Sequence, residues 1–207
     1  MMKRFLPGIL AMALIVVASN ILVQFLLGDW LTWGAVTYPF AFLVTDLMNR
    51  LYGAQAARRI VLAGFCVGVI CSLIGSQIIL EYGPAVTLRV ALGSGTAFLI
   101  AQLLDVSIFD KLRGNAWWTA PLVSSLIGSV LDTTIFFTIA FSAALTPIFP
   151  SHDVAWANEV LPLLGIGPQA PLWVSLAVAD SGLKFGLSLV ALLPFKAVVA
   201  KMSPKIA

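Results

Sequence analysis

A chain of 207 residues that is 60% hydrophobic and 10% charged, with a formal net charge of +3, does not have the composition of a soluble domain, which runs at about 45–50% apolar and about 25% charged. A mean hydropathy of +1.03 excludes a disordered chain, a water-soluble enzyme and a nucleic-acid reader built on basic patches. No GxxxxGK[ST] pattern occurs, so the chain has no P-loop of its own, and the positive excess is read through membrane topology.

A membrane-crossing helix needs about 20 apolar residues, and such runs follow one another along the chain. The opening, MMKRFLPGILAMALIVVAS, imitates a signal peptide, but its apolar character continues to Leu27, longer than an h-region, so it predicts a retained first span over 7–27. WGAVTYPFAFLVTDLMNRLYG supplies a second span over 33–52. The third, 60–80, holds both cysteines, Cys66 and Cys71. On a helix they sit about 140° apart and roughly 7.5 Å along the axis, a poor disulfide geometry, so they read as packing residues. LRVALGSGTAFLIAQLLDVSIF gives a fourth span over 88–109, and a fifth covers 119–143. The connection 144–171 is rich in Pro and Gly and carries the only histidine, His152. A buried haem ligand, a histidine base and a histidine proton relay are therefore absent from the spans. Within this connection DVAWANEVLPLL predicts either a short interfacial helix with Trp156 at the surface or a disordered loop. The sixth span covers 172–198.

Charge placement supports this count. Ten of the twelve Lys and Arg residues fall in alternate connections: Lys3 and Arg4; Arg50, Arg58 and Arg59; Lys111 and Arg113; Lys196, Lys201 and Lys205. The other connections carry Asp29, Glu81, Asp153 and Glu159 and no basic residue. Six spans with both termini cytoplasmic and 144–171 outside satisfy the positive-inside rule. The tryptophans agree, with Trp30, Trp33, Trp156 and Trp173 at the outer surface and Trp117 and Trp118 at the inner one. The expected fold class is an all-α integral membrane protein, a six-transmembrane-helix bundle forming one domain over 1–207.

Six charged residues remain inside spans: Asp46, Arg89, Asp105, Asp132, Asp180 and Lys184. Each costs about 2.5–3.5 kcal/mol at a helix centre on insertion scales, so such residues usually line a substrate or ion route, or pair with each other. At about 1.5 Å per residue, Asn20, Asp46, Gln102, Asp132, Asp180 and Lys184 share a layer roughly 10–21 Å below the outer surface. Arg89 lies near the outer rim and Asp105 nearer the cytoplasm. Asn20 with Gln24, and Asp180 with Lys184, are i,i+4 pairs, while Ser125, Ser129, Asp132 and Thr133 form one polar stripe. A midplane pocket follows, with Asn20, Gln24, Tyr38, Asp46, Gln102, Ser129 and Asp132 as candidate binding residues. Arg89, Asp105, Asp180 and Lys184 form a gating or structural charge network. Plainer readings stand beside these: Asp180–Lys184 as a self-neutralising pair, Arg89 snorkelling to headgroups, and Asp105 paired with Lys111 or Arg113. Gly64xxxGly68 and Gly182xxxGly186 read as faces for close helix approach, within the bundle or in a homodimer. Four acids against two bases suit a small molecule rich in hydrogen-bond donors, such as a guanine-like edge with adjacent N–H groups.

The blocks WGAVTYPFAFLVTDLMNRLYG (Trp33 to Gly53), AARRIV (Ala56 to Val61), RVALGSGTAFLIAQLLDVSIFDKLR (Arg89 to Arg113) and WWTAPLVSSLIGSVLDTTIFFTIAF (Trp117 to Phe141) resemble the queuosine precursor transporter family, also called the vitamin uptake transporter family. Weaker similarity continues in SN-x-x-x-Q (Ser19, Asn20, Gln24) and in ADSGLKFGLSLVALLP (Ala179 to Pro194). The resemblance implies a bacterial inner-membrane importer of the 7-deazaguanines preQ0 and preQ1, salvaged for queuosine in tRNA. It maps the family's polar positions onto Asn20, Gln24, Asp46, Arg89, Gln102, Asp105, Asp132 and Lys184. Ser129 and Ser181 depart from relatives that carry an amide and an aromatic there, which leaves the preferred precursor open. No cofactor, metal or catalytic residue is expected, and the partners are a nucleobase and the lipid bilayer, with no nucleic acid. A monocationic ligand would gain about 2.3 kcal/mol per 100 mV of membrane potential, whereas a neutral one would need proton coupling through a carboxylate. The rival readings are an intramembrane aspartyl enzyme and the substrate-binding subunit of an ATP-driven importer.

Overall fold

The computed structural model describes residues 5–81 and 83–206, with side chains as far as 202. Lys3 and Arg4, and the side chain of Lys205, which entered the charge count above, lie outside the described residues. Helix α1 runs Leu6–Leu22, with a proline in its first turn, where no backbone N–H is needed. It stops short of the expected 27. Leu26–Leu27 (β1) pair instead with Leu31–Thr32 (β2) around a turn in which Gly28 adopts φ +68°, a left-handed conformation that suits glycine.

The second predicted span exists as two helices. Thr32 caps α2 (Trp33–Thr37) by accepting from the Ala35 amide, and α3 (Phe40–Tyr52) begins after Tyr38 and Pro39. Pro39 has no N–H to return to the preceding turn, so the helix is interrupted there. Gly53, at φ +87°, ends α3 and lets α4 start at once, so α4 occupies Ala54–Gly75 and not 60–80. A hairpin of β3 (Ile79–Leu80) and β4 (Gly83–Pro84) leads into α5, Leu88–Leu112, capped by the Thr87 hydroxyl. Helix α6 covers Thr119–Phe141 and α7 Leu172–Ile206. Four helices, α4 to α7, are long and apolar enough to cross a membrane, and α1 is equally apolar but has 17 residues.

The connection between α6 and α7 holds no interfacial helix. Residues Trp156–Asn158 make a single 3-10 turn, and Val160–Pro162 (β5) pair antiparallel with Gln169–Pro171 (β6). Pro162 and Gly165, the latter at φ +82°, break any helical run through the expected segment. Only the partner strand downstream decides that the chain extends there.

Helices α5 and α6 pack side by side along their length and carry most of the polar positions. A core of Met12, Val16, Ala41, Met48, Ala57, Ile60, Val61, Phe98 and Val106 joins α1, α3, α4 and α5, and Phe109, Ala120 and Phe195 close the other end. The close approach expected at Gly64 is present, since a Cβ there would meet Met12 Cγ at 2.6 Å, whereas Gly182 and Gly186 have nothing within 4 Å. Leu10, Leu14, Leu73, Val190 and Leu193 point outward, as lipid-facing positions do. Arg50, Arg113, Trp117 and Lys196 gather at one end of the bundle. There Arg50 and Arg113 each donate to the other's carbonyl, at 3.0 and 3.3 Å, and Lys196 Nζ lies 5.0 Å from the Trp117 ring centre.

Candidate binding cavity and buried charge network

Helix periodicity places Asp180 and Lys184 one above the other on α7, and Asp132 and Thr133 on the facing side of α6. Their side chains meet. Lys184 Nζ lies 2.6 Å from Asp180 Oδ2 and 2.7 Å from Asp132 Oδ2, and 2.9 Å from the Thr133 hydroxyl. Thr133 in turn donates to Asp180 at 2.6 Å. Tyr38, presented by the interruption between α2 and α3, donates its hydroxyl to Asp132 Oδ1 at 3.1 Å and sets its ring 5.5 Å from the lysine nitrogen. Each carboxylate is thereby satisfied by a charge-assisted bond, which buried ions require. Two acids around one base still leave the group with a formal excess of one negative charge.

This network forms the floor of a cavity of about 460 Å³, within the usual range of small-molecule sites. The polar side of its wall includes Asn20, Gln24, Tyr38, Asp132, Asp180 and Lys184. Asn20 and Gln24 donate their amide N–H groups to the carbonyls of Val16 (2.8 Å) and Ala85 (3.2 Å), which anchors both side chains. Phe136, Phe137 and Phe141 make an aromatic side, and Trp30 and Trp156 also line the wall. Sequence reading assigned those two tryptophans only to a membrane belt. Their role in the wall depends on the β1–β2 and 144–171 connections folding over the bundle end, for which no local signal exists.

Four of the seven candidate binding residues, Asn20, Gln24, Tyr38 and Asp132, therefore come together, joined by Asp180 and Lys184 from the charge network. The other three lie apart from the cavity. Asp46 accepts from Ser124 (3.3 Å) and Ser125 (3.1 Å), Gln102 is held by Thr45 (2.6 Å), and the Ser129 hydroxyl meets no partner among the described residues. Arg89 is 1% exposed and does not reach headgroups. It donates to the Ile139 carbonyl at 2.6 Å and to the Ser142 carbonyl, closing the C-terminal end of α6, where free carbonyls attract a cation. Asp105 pairs with neither Lys111 nor Arg113 among the described residues. Arg113 engages Asp110 (3.0 Å) and both oxygens of Asn49. Asn49 and Ser124 went unnoticed in the sequence because a lone amide or hydroxyl in an apolar run carries no periodic signal.

A cavity floored by buried, mutually bonded charges inside an apolar helical bundle fits the class of multi-pass membrane proteins that hold a small molecule. Residues 32–199 match the family described as "Putative vitamin uptake transporter". The chain is 34% identical over 203 residues to the "Queuosine precursor transporter" of Escherichia coli (strain K12), covering 91% of this chain and 83% of that one. It is 37% identical over 138 residues to the "Probable queuosine precursor transporter" of Haemophilus influenzae, covering 61% and 57% of the two chains. It is 29% identical over 198 residues to the protein of the same name in Bacillus subtilis, covering 86% and 76%. No solved structure matches the chain. The chain belongs to the vitamin uptake transporter family, and it is a multi-pass protein of the bacterial inner membrane. All three of these relatives are named as transporters.

Proposed function

We propose that this chain imports 7-deazaguanine precursors of queuosine, preQ0 or preQ1, through the cavity floored by Asp132, Asp180 and Lys184. The observation that carries the reading is that floor: carboxylates held in place, one net negative charge, and an aromatic wall on one side. A deazaguanine presents adjacent N–H donors to a carboxylate and a flat face to an aromatic ring. Asp132 would accept from the base edge, Asn20 and Gln24 would complete the polar contacts, and Tyr38 or a cavity phenylalanine would stack. An aminomethyl cation on the ligand would compete with Lys184 for Asp180, which loosens the α6–α7 contact as the site fills.

The same reading makes the bundle six spans with both termini cytoplasmic, counting α2 and α3 as one interrupted span. The cavity then opens to the exterior. Interrupted helices at a midplane site are a recurrent carrier device. The test is genetic. In bacteria that neither make nor import preQ0, expression of this chain is expected to restore queuosine in tRNA when preQ0 or preQ1 is supplied. Absence of queuosine with the protein present in the membrane would reject the substrate.

A further inference from the structure

Below the cavity floor, toward the Arg50–Arg113 end, lies a second buried polar group that the ligand reading does not use. Asp46 on α3 and Asp105 on α5 are 2% and 0% exposed and lie within hydrogen-bonding reach of each other. Asp46 receives the Ser124 and Ser125 hydroxyls; Ser124 also faces Asp105, but neither oxygen of Asp105 meets a donor in hydrogen-bonding geometry among the described residues. Among the described residues no Lys, Arg or His lies within 4.0 Å of either carboxyl.

The nearest cation is Arg50, one turn down α3: its Nη1 donates to the Arg113 carbonyl, its Nη2 meets no partner among the described residues, and its guanidinium lies against Phe109. Arg113 and Asp110, further along α5, pair with each other. From α6 and α7, Asp132, Asp180 and Lys184 form the cavity floor, and Tyr38 bonds to Asp132. Arg58 and Arg59, in the first turns of α4, are exposed.

Two adjoining carboxylates buried in the bundle repel each other, and burial weakens the hydration of each. One hydrogen shared between them removes a charge and supplies the absent donor. We propose that Asp46 and Asp105 share one proton and form a proton-binding site, distinct from the ligand cavity, through which the carrier couples ligand movement to proton movement. The inference rests on the carrier reading above.

Two further features support it. The α6 stripe leads from Asp132 in the cavity floor through Ser129 to Ser125 beside Asp46, about 10 Å along the helix. Ser129, midway and 2% exposed, has a hydroxyl with no partner among the described residues. On the other side of the pair a crevice of about 20 Å³ between α3, α6 and α7 is lined by Asp46, Ser125 and Ser188, room for one water with polar partners.

A proton arriving along the stripe forms an O–H bond on one carboxylate, and the other accepts the hydrogen bond. When access reverses, that O–H bond breaks and the proton leaves through the crevice to the cytoplasmic side. No electron is transferred. Protonation removes one buried charge from the α3–α5–α6 contact, which lowers the cost of repacking those helices.

Two measurements test this. Infrared spectroscopy of the purified protein at neutral pH, without ligand, is expected to show a protonated-carboxyl band that shifts in D2O. The band should be missing from Asp105→Asn and from Asp46→Asn. Its absence from the unsubstituted protein would overturn the site whatever the ligand is. In proteoliposomes with the membrane potential clamped at zero, an imposed pH gradient should drive at least tenfold more accumulation of labelled preQ1 than no gradient. Asp105→Asn should abolish that driven component and keep ligand exchange across the membrane. Accumulation that ignores pH, or that follows a sodium gradient instead, would overturn the coupling. If the unsubstituted protein exchanges no deazaguanine at all, the ligand reading fails, while the infrared result still decides the proton site.

Discussion

Lys184 touches Asp132 at 2.7 Å and Asp180 at 2.6 Å while only 4% exposed, so its removal leaves two buried acids facing each other. Breaking a buried pair in this way costs about 3–5 kcal/mol. Lys184→Gln is therefore expected to lower the melting temperature in detergent by roughly 6–20 °C. Asp180→Asn leaves a neutral Lys184–Asp132 pair and should lower it by less than half as much. Equal losses in the two variants would show that the net charge of the group does not matter. The partners of these residues were only partly legible in the sequence. The Asp180–Lys184 contact follows from i,i+4 spacing, because helix geometry alone brings such residues together. The Asp132–Lys184 contact depends on how α6 and α7 are rotated against each other, which side-chain packing sets. Arg89 shows the same limit. Its cost in an apolar run is visible in the sequence, but the carbonyls that accept from its Nε and Nη2, those of Ile139 and Ser142, lie fifty residues away or more and belong to another helix's end.

At the scale of elements, the long apolar runs were read correctly for α5 and α6, because a buried helix of that length needs no more than continuous hydrophobicity and polar flanks. The interruption of the second span at Pro39 was missed. A proline within an apolar run is compatible with a kinked helix as well as with two helices, and neighbours decide which. Glycines divide along the same line. A Cβ at Gly34 would come within 2.8 Å of the Val23 backbone nitrogen and 2.9 Å of the Ser19 carbonyl, atoms that cannot turn away. Gly34→Ala should cost about 1–3 kcal/mol by overpacking α1 against α2. At Gly182, in mid-helix, a Cβ meets nothing within 4 Å, so Gly182→Ala should stabilise by roughly 0.5–1 kcal/mol through helix propensity. Thermal unfolding of the two variants side by side checks both signs. A destabilised Gly182→Ala would mean that the outer face of α7 is covered by another chain.

For the whole molecule, the cavity joins residues from α1, α2, α4, α5, α6, α7 and four connections, and the proposed orientation makes it face the exterior. In a chain with Cys66→Ser and Cys71→Ser, Gln24→Cys is expected to react with a membrane-impermeant thiol reagent applied from outside, and added preQ1 should slow that reaction. Ser188→Cys, beside the inner crevice, should resist it. Reaction of the second position and not the first would invert the orientation. The order of residues along the chain was enough for the membrane class, the extent of α5 and α6, the family and the residues too costly to be buried without a purpose. Those properties reside in composition, in local periodicity and in long matching blocks. Packing in three dimensions is what divides the polar residues into two groups, a cavity floor of Asp132, Asp180 and Lys184 and a separate Asp46–Asp105 pair. The depth of a residue along its helix can be counted from the chain, but the direction in which each helix face points is set by packing against the others.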